Sequence, residues 1–542
     1  MADNSNLSVL IVDPSPGMRG SLQNMLNQAG ITKTEYAVSS GTAIKQLAKS
    51  SYDIILCEYD LGGGQDNGQD GQQLLEDLRH HKLIGLWTIF IMITSEGVYS
   101  KVVSAAELTP TDYILKPFTV DMLSGRIARA IERRTAFLPT YQLISQGNLR
   151  EAIKSSAKGE ANFARYALDF VRLRAELHVS LGELGEAETL YQAVITAKPV
   201  GWAQLGLART LFAQERYADA EAMLEQVIVG NARLMAAYDL LARCYEAGDE
   251  PAKAQKALED AVAISPHMIR RLRRLGEVAL ETGDVAAAER SFKQVVSKAK
   301  YSEFRDPEDH VNLIKALVKK GDTTQAAGVM RDLEKSLRGN PNLDVCSAVS
   351  NALLLKAAGD ADGAVKQLGN AVAGVRSAHG LSSHLKIDLA RDCLDSKLDK
   401  EASEVMIAVL NDANAGVSTA QAMSIFVKAG RADLAEGMGN QLKLQVQQMM
   451  QVAVERTGMG DYKGAAQSML EALHLAPNEV PVLCACARSI IRQVEEMGWD
   501  HALAEQCHAQ IELIRKREPA QPQLQALEED YSAAKRKYGI SG

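Results

Sequence analysis

Ten alanines recur along this chain at an almost fixed interval, and that recurrence limits its fold more than any other feature. They are Ala152, Ala187, Ala220, Ala254, Ala288, Ala326, Ala364, Ala402, Ala435 and Ala465, separated by 35, 33, 34, 34, 38, 38, 38, 33 and 30 residues. Each is expected near the start of every second helix, after a Gly or Asp turn and four residues ahead of a larger apolar side chain. A small residue lets two helices approach closely and a large one fills the space between them. A repeat of this length is a helix–turn–helix unit that cannot bury its apolar face alone, so its neighbours must stack on it to form a solenoid. One compact globule is excluded, because 542 residues exceed what a single hydrophobic core serves. Aromatic residues make up only 5% of the chain, the bias of alanine- and leucine-rich helices rather than of sandwiches or barrels.

The first 135 residues do not share the repeat. Apolar and β-branched runs at Ser8–Val12, Asp53–Cys57, Thr88–Thr94 and Asp112–Leu115 alternate with helical patterns. That alternation predicts parallel strands joined by crossover helices, an α/β doubly wound domain. Chemistry in such sheets sits beyond the carboxyl ends of the strands, which here directs attention to Asp13, Glu58, Thr94 and Lys116.

Around those four residues stand VLIVDPSPGMR, YDIILCEYDLGGG, FIMITSE and DYILKPF. In order and spacing these segments resemble the signature segments of the bacterial response-regulator receiver domain, which is flavodoxin-like in fold. In that family an acidic pair after the first strand holds Mg²⁺. An Asp after the third strand takes a phosphoryl group from a histidine kinase, and a Thr or Ser and a Lys contact it. The resemblance implies that Asp13 is the first acid of the pair, Glu58 the phosphoacceptor position, Thr94 the hydroxyl, Lys116 the lysine and Tyr113 the switch aromatic.

Two departures bear on the reaction. Pro14 replaces the second acid and has no ligand atom, so Asp13 and Glu58 are left to hold Mg²⁺ weakly at best; no other cofactor is expected. Glu58 replaces the acceptor aspartate, and its extra methylene moves the nucleophilic oxygen by about 1 Å, a displacement that can cost ~10²-fold in an in-line transfer. Three readings of Glu58 stay open. It imitates the phosphorylated state in part, it pairs with Lys116 in an inert scaffold, or phosphate is still accepted, at Glu58 or at Asp60. Asp60 is expected to face water, because the glycine-rich stretch from Gly62 to Gly71 breaks the strand. That stretch lacks the ligand order of a calcium loop and reads as a solvated loop beside the acceptor. An engineered Asp-to-Glu change would leave the same sequence.

The later units include AYDLLARCYEAGDEPAKAQKALEDAVAISP (Ala237–Pro266) and LRRLGEVALETGDVAAAERSFKQVV (Leu272–Val296). In the second, Leu275-Gly276, the Gly283-Asp284 turn and the pair Ala288 and Phe292 resemble the tetratricopeptide repeat. The implied architecture is multidomain: a receiver over residues 1–135, about ten tetratricopeptide-like units over 138–479 forming an all-α superhelix, and capping helices over 480–542. The receiver's last helix is expected over Thr119–Arg134, with Pro139 as a breaker before a repeat helix that starts by Thr140. Receivers use the face of that last helix for output, so the repeats are expected to dock near it.

Other classes of function find little support. The formal net charge is −8 and the isoelectric point about 5.8, so no chain-wide basic field attracts nucleic acid or anionic lipid. No apolar stretch reaches the ~20 residues of a membrane helix, and the first 25 residues carry no signal-peptide pattern. Seven scattered cysteines, of which only Cys484 and Cys486 are close, predict buried thiols in a reducing cytoplasm rather than disulfides or a zinc site. The histidines form no HxxxH or HExxH and no nucleophile elbow occurs, so the chain is not expected to be an enzyme. The run Ile269-Arg-Arg-Leu-Arg-Arg-Leu275 has two readings: a solvated face paired with Glu277 and Glu281, or a partner-binding patch of Arg270, Arg271 and Arg274 that seats an acidic or phosphorylated motif. The function expected is that of a two-component response regulator or auxiliary regulator whose output is protein binding, with a histidine kinase or another response regulator as partner. The alternatives are a phosphorylatable regulator and an assembly scaffold with an inert receiver.

Overall fold

A computed structural model of the chain describes residues 6–62, 70–95, 110–300, 305–376, 378, 380–412, 417 and 419–540. They fall into two units, Met1–Asp322 and Thr323–Gly542.

The first unit opens with a five-stranded parallel sheet in the order β2-β1-β3-β4-β5. The strands are β1 Ser8–Val12, β2 Lys33–Ala37, β3 Ile54–Glu58, β4 Ile89–Thr94 and β5 Asp112–Leu115. β3 and β4 are buried along their whole length, as crossover helices on both faces require. Alternate residues supply the two faces. Leu10, Val12, Ile55, Cys57, Phe90 and Met92 pack under helices Ser40–Leu47 and Gly71–His80. Val9, Ile11, Leu56, Ile91 and Ile93 pack under helices Pro16–Gln28 and Val120–Ser145. The α/β expectation holds, with one added strand. β2 is an edge strand, KTEYA, exposed at alternate positions, and so it lacks the apolar run that marks the others.

The break expected at Pro139 is absent. One helix runs from Val120 to Ser145 with Pro139 inside it. A proline there removes an N–H and one helical hydrogen bond, at a cost of roughly 3 kcal/mol. Packing offsets that loss: the buried Phe137 ring stacks on Phe170 with centroids 3.9 Å apart, and the Thr140 and Ser155 hydroxyls lie 2.8 Å apart. The receiver's last helix therefore continues as a helix that packs on Leu149–Asn162.

Beyond it the unit is a run of antiparallel helix pairs. Every one of the ten alanines is buried and is the fourth residue of its helix. Four residues on, Tyr191, Leu224, Leu258, Phe292, Met330, Leu368, Met406 and Met469 are buried apolar residues; position 156 is instead a buried serine whose hydroxyl donates to the Phe170 carbonyl, and 439 is a glycine. The close approach is real: a Cβ on Gly276 would lie 2.7 Å from the Phe292 ring. The turn in each pair carries one residue with positive φ two positions before the second helix. Seven are glycine, and the other three are Glu215, Asp249 and Lys397, with φ of 61°, 60° and 60°.

In the second unit the 38-residue spacing is taken up between units, as in the connections Ser336 to Leu343 and Val375 to Ser383, while the turns keep their length. The 30-residue spacing arises because helix Ala432–Gly458 runs unbroken, fusing the second helix of one pair to the first of the next. Helices Val480–Met497, His501–Arg517 and Leu524–Lys537 follow.

Candidate functional site

Four of the five strands deliver one side chain each to the same edge. Asp13 follows β1, Glu58 ends β3, Thr94 ends β4 and Lys116 follows β5, at the carboxyl ends and next to the point where the strand order reverses between β1 and β3. Four of the five predicted receiver residues lie here; Tyr113 stands further back, as the second residue of β5.

Glu58 is buried, and its two oxygens are used differently. Oε1 accepts the Tyr59 N–H at 2.8 Å and the Asp60 N–H at 3.3 Å. Oε2 receives the Lys116 ammonium, which also lies 3.6 Å from Asp13 Oδ2. Burial raises the Glu58 pKa above its ordinary value, and pairing with Lys116 opposes that shift. Asp13 is held by the Ser15 N–H, which donates to Oδ1 at 2.8 Å. Thr94 is buried, and its carbonyl accepts the Lys116 N–H at 2.8 Å. Tyr113, opposite Met92 in the register, is partly buried and packs against the core cluster that contains Cys57 and Met92.

The donor set is short for an octahedral Mg²⁺. Two carboxylates face the same ammonium, and Pro14 supplies no third. Asp60 is exposed, with Oδ1 accepting the Gly62 N–H at 3.0 Å. Of the glycine-rich stretch, residues 63–69 lie outside the described residues. Beyond it, Gly71 begins helix Gly71–His80 hard against the acceptor: its N–H donates to the Tyr59 carbonyl at 2.7 Å, and a Cβ there would lie 2.4 Å from the Glu58 carbonyl oxygen.

The arginine run does not present the free patch that the partner-binding reading needs. Arg271 is buried and forks onto Asp239 at 2.7 and 2.8 Å. Arg274 forks onto Glu246 at 2.9 and 2.7 Å and reaches Glu277 at 2.8 Å. Arg273 forks onto the buried Asp309. Arg270 pairs at 2.9 Å with Glu76, on the receiver helix that starts at Gly71. Of the local carboxylates expected, Glu277 does pair with Arg274; the other pairs are long-range. Glu76 itself was missed, since nothing local distinguishes it from a solvated helix acid.

The seven cysteines are all buried and unbridged, and no group of three potential metal ligands occurs among the described residues. No described helix is long and apolar enough to cross a membrane.

Comparison with known proteins adds the following. A family model for the response regulator receiver domain matches residues 9–128, and one for the tetratricopeptide repeat matches residues 205–269. Chemotaxis protein CheY-3 of Vibrio cholerae is 30% identical over 130 residues, which are 24% of this chain and 95% of that protein. Chemotaxis protein CheY of Pseudomonas aeruginosa is 28% identical over 127 residues, 23% of this chain and 98% of that one. Among solved structures, a tetratricopeptide repeat protein from Parabacteroides merdae is similar at 13% identity with a TM-score of 0.32, covering 48% of this chain and 97% of that one.

Proposed function

This chain belongs to the response-regulator receiver family and carries tetratricopeptide repeats behind its receiver, and from that premise we propose a non-catalytic regulator whose output is protein binding through the repeats. Its receiver works without a phosphoryl group. The observation that carries this reading is the Glu58–Lys116 pair: a fixed carboxylate occupies the lysine that a phosphoryl group on this edge would engage, while Asp13 lies within 4 Å of the same ammonium. An aspartyl phosphate would bring roughly two negative charges to that position, and Glu58 supplies one. Tyr113 packed against the core accords with a preset rather than a resting receiver.

The partner proposed is a histidine kinase or another response regulator, met in the cytoplasm. The two carboxylates give no strong Mg²⁺ site, so acceptor chemistry is not expected. Incubation with a small acyl phosphate and Mg²⁺ should leave the intact mass unchanged; a stoichiometric gain of roughly 80 Da at residue 58 or 60 overturns the reading. Glu58→Gln keeps the volume and removes the charge, and should change partner affinity by about 1–2 kcal/mol. If that variant and a chain lacking residues 1–135 both bind as wild type does, the receiver is an inert appendage.

A further inference from the structure

An open cavity of about 880 Å³ lies between receiver helix Gly71–His80 and the repeat helices Gly201–Ala213, Met235–Ala247 and Ile269–Thr282. Six guanidinium groups line it: Arg79, Arg209, Arg243, Arg270, Arg271 and Arg274. Three carboxylates line it with them, Glu76, Asp239 and Glu246, and Glu277 pairs with Arg274. Such a cationic surplus stands out in a chain whose formal net charge is −8.

Pairing accounts for part of the surplus. Arg271 and Arg274 are committed to Asp239 and Glu246 by two-pronged bonds, which fix their planes. Arg209 and Arg243, 34 residues apart and so one repeat apart, form no ion pair among the described residues. Arg243 is held in place all the same, its guanidinium 4.6 Å from the Phe212 ring centroid. Between these committed and uncommitted groups stands Arg270, half exposed and bound only to Glu76. Burial lifts Glu76 to about 7 against the pull of Arg270, so that its hold on this arginine is easily given up near neutral pH.

We propose that this seam is a binding site for a small phosphorylated anion of nucleotide size, held by Arg209 and Arg243 and by Arg270 once it is released from Glu76. The volume falls within the roughly 300–1,000 Å³ of small-molecule sites. Guanidinium forks match phosphate oxygens two at a time. Arg209 and Arg243, joined by Arg270 on its release, call for a phosphate ester or pyrophosphate, since one carboxylate would leave most of their charge unbalanced. Occupancy would also reach the acceptor, because Glu76 rides on the helix that Gly71 seats against the Glu58 carbonyl.

The test is calorimetric titration of the full chain with inorganic pyrophosphate and, separately, with adenosine triphosphate, at low salt and without metal. Saturable binding at one site per chain is expected with at least one probe. Arg209→Gln and Arg243→Gln, both at exposed positions and checked by circular dichroism for an intact fold, should each weaken it about tenfold, the equivalent of one charged contact. Glu76→Gln should strengthen it several-fold by freeing Arg270. No saturable heat with either probe at millimolar concentration refutes the proposal. So does binding that survives Arg209→Gln with Arg243→Gln unchanged. Binding of a phosphorylated peptide where both free anions fail refutes it in favour of a protein ligand.

Discussion

The Glu76 carboxyl should make the receiver less stable as pH rises, opposite to the usual carboxylate. Its surroundings set the sign. Burial is the largest influence and raises its pKa; Arg270 opposes this, Asp77 adds to it, and the outcome is about 7 against an ordinary 4.5. The folded chain thus holds this proton more tightly than the unfolded chain does. Stability from the group is fully present below pH 4.5 and is lost as pH climbs through 7. At 1.36 kcal/mol per pH unit, the loss between those limits is on the order of 3 kcal/mol. Glu76→Gln is neutral and nearly isosteric, so it should remove the pH dependence while giving up only the pair with a half-exposed arginine. Trp87 is the receiver's own tryptophan; replacing Trp202 and Trp499 by Phe lets its fluorescence follow receiver unfolding in urea. Measured at pH 5, 6, 7 and 8, the stability of Glu76→Gln minus that of the parent should grow with pH, most of it between 5 and 7.5. His80 and His81, whose pKa values burial lowers, titrate in both proteins and cancel in the difference. A difference that stays flat across that range, or grows towards acid, refutes the reasoning.

Two further outcomes follow from the repeats. Glu215→Gly, Asp249→Gly and Lys397→Gly should each raise the thermal midpoint of the unit they sit in, by about 0.5–1 kcal/mol of stability, because an L-residue at φ near +60° is strained where glycine is not; Gly283→Ala, at φ 83°, should lower it. Gly276→Ala should cost about 1–3 kcal/mol in denaturant midpoint through the clash with Phe292, whereas Gly369→Ala, a helical glycine with open space around it, should gain up to ~1 kcal/mol.

Much of this fold was legible because its signals are local. An alanine at the fourth position of a helix, a glycine turn before it and a bulky residue four on all fall within a dozen residues, and the receiver strands announce themselves as buried apolar runs. What escaped was non-local. β2 is half exposed and reads as a polar loop, its pairing with β1 supplied by tertiary contact. Pro139 has the chemistry of a breaker, and only the aromatic packing of Phe137 on Phe170 overrules it. At the acceptor edge the residues were readable, and pairing of Glu58 with Lys116 was among the open readings, but no spacing says that Lys116 keeps Asp13 in reach at the same time. The arginine run shows the same limit more sharply. Apart from Glu277, the local partner of Arg274, its carboxylates come from 28 to 36 residues away within the repeats and, for Arg270, from the receiver.

Those two kinds of information meet in how the receiver is attached. Among the described residues, two helical arms that leave opposite faces of the sheet reach the repeats. One is helix Val120–Ser145, packed on the face that carries Ile91 and Ile93. The other is helix Gly71–His80, packed on the face that carries Cys57 and Met92, whose Glu76 reaches Arg270. The first arm descends from Lys116 at the end of β5, the second from Glu58 at the end of β3, and those two residues are joined by an ion pair. That bond therefore closes a loop running from acceptor through both arms to the repeat helices. A rigid loop transmits a change in any one link to the others, since packed elements shift between discrete arrangements rather than deform smoothly. Under the proposal made above, the carboxylate at position 58 keeps the loop closed and the anion acts on the seam at its far end. If the seam binds an anion as proposed, the input enters where Glu76 and Arg270 meet rather than at the acceptor, and Glu58→Gln, which breaks the bond to Lys116, should leave anion affinity at the seam unchanged unless the two ends are coupled.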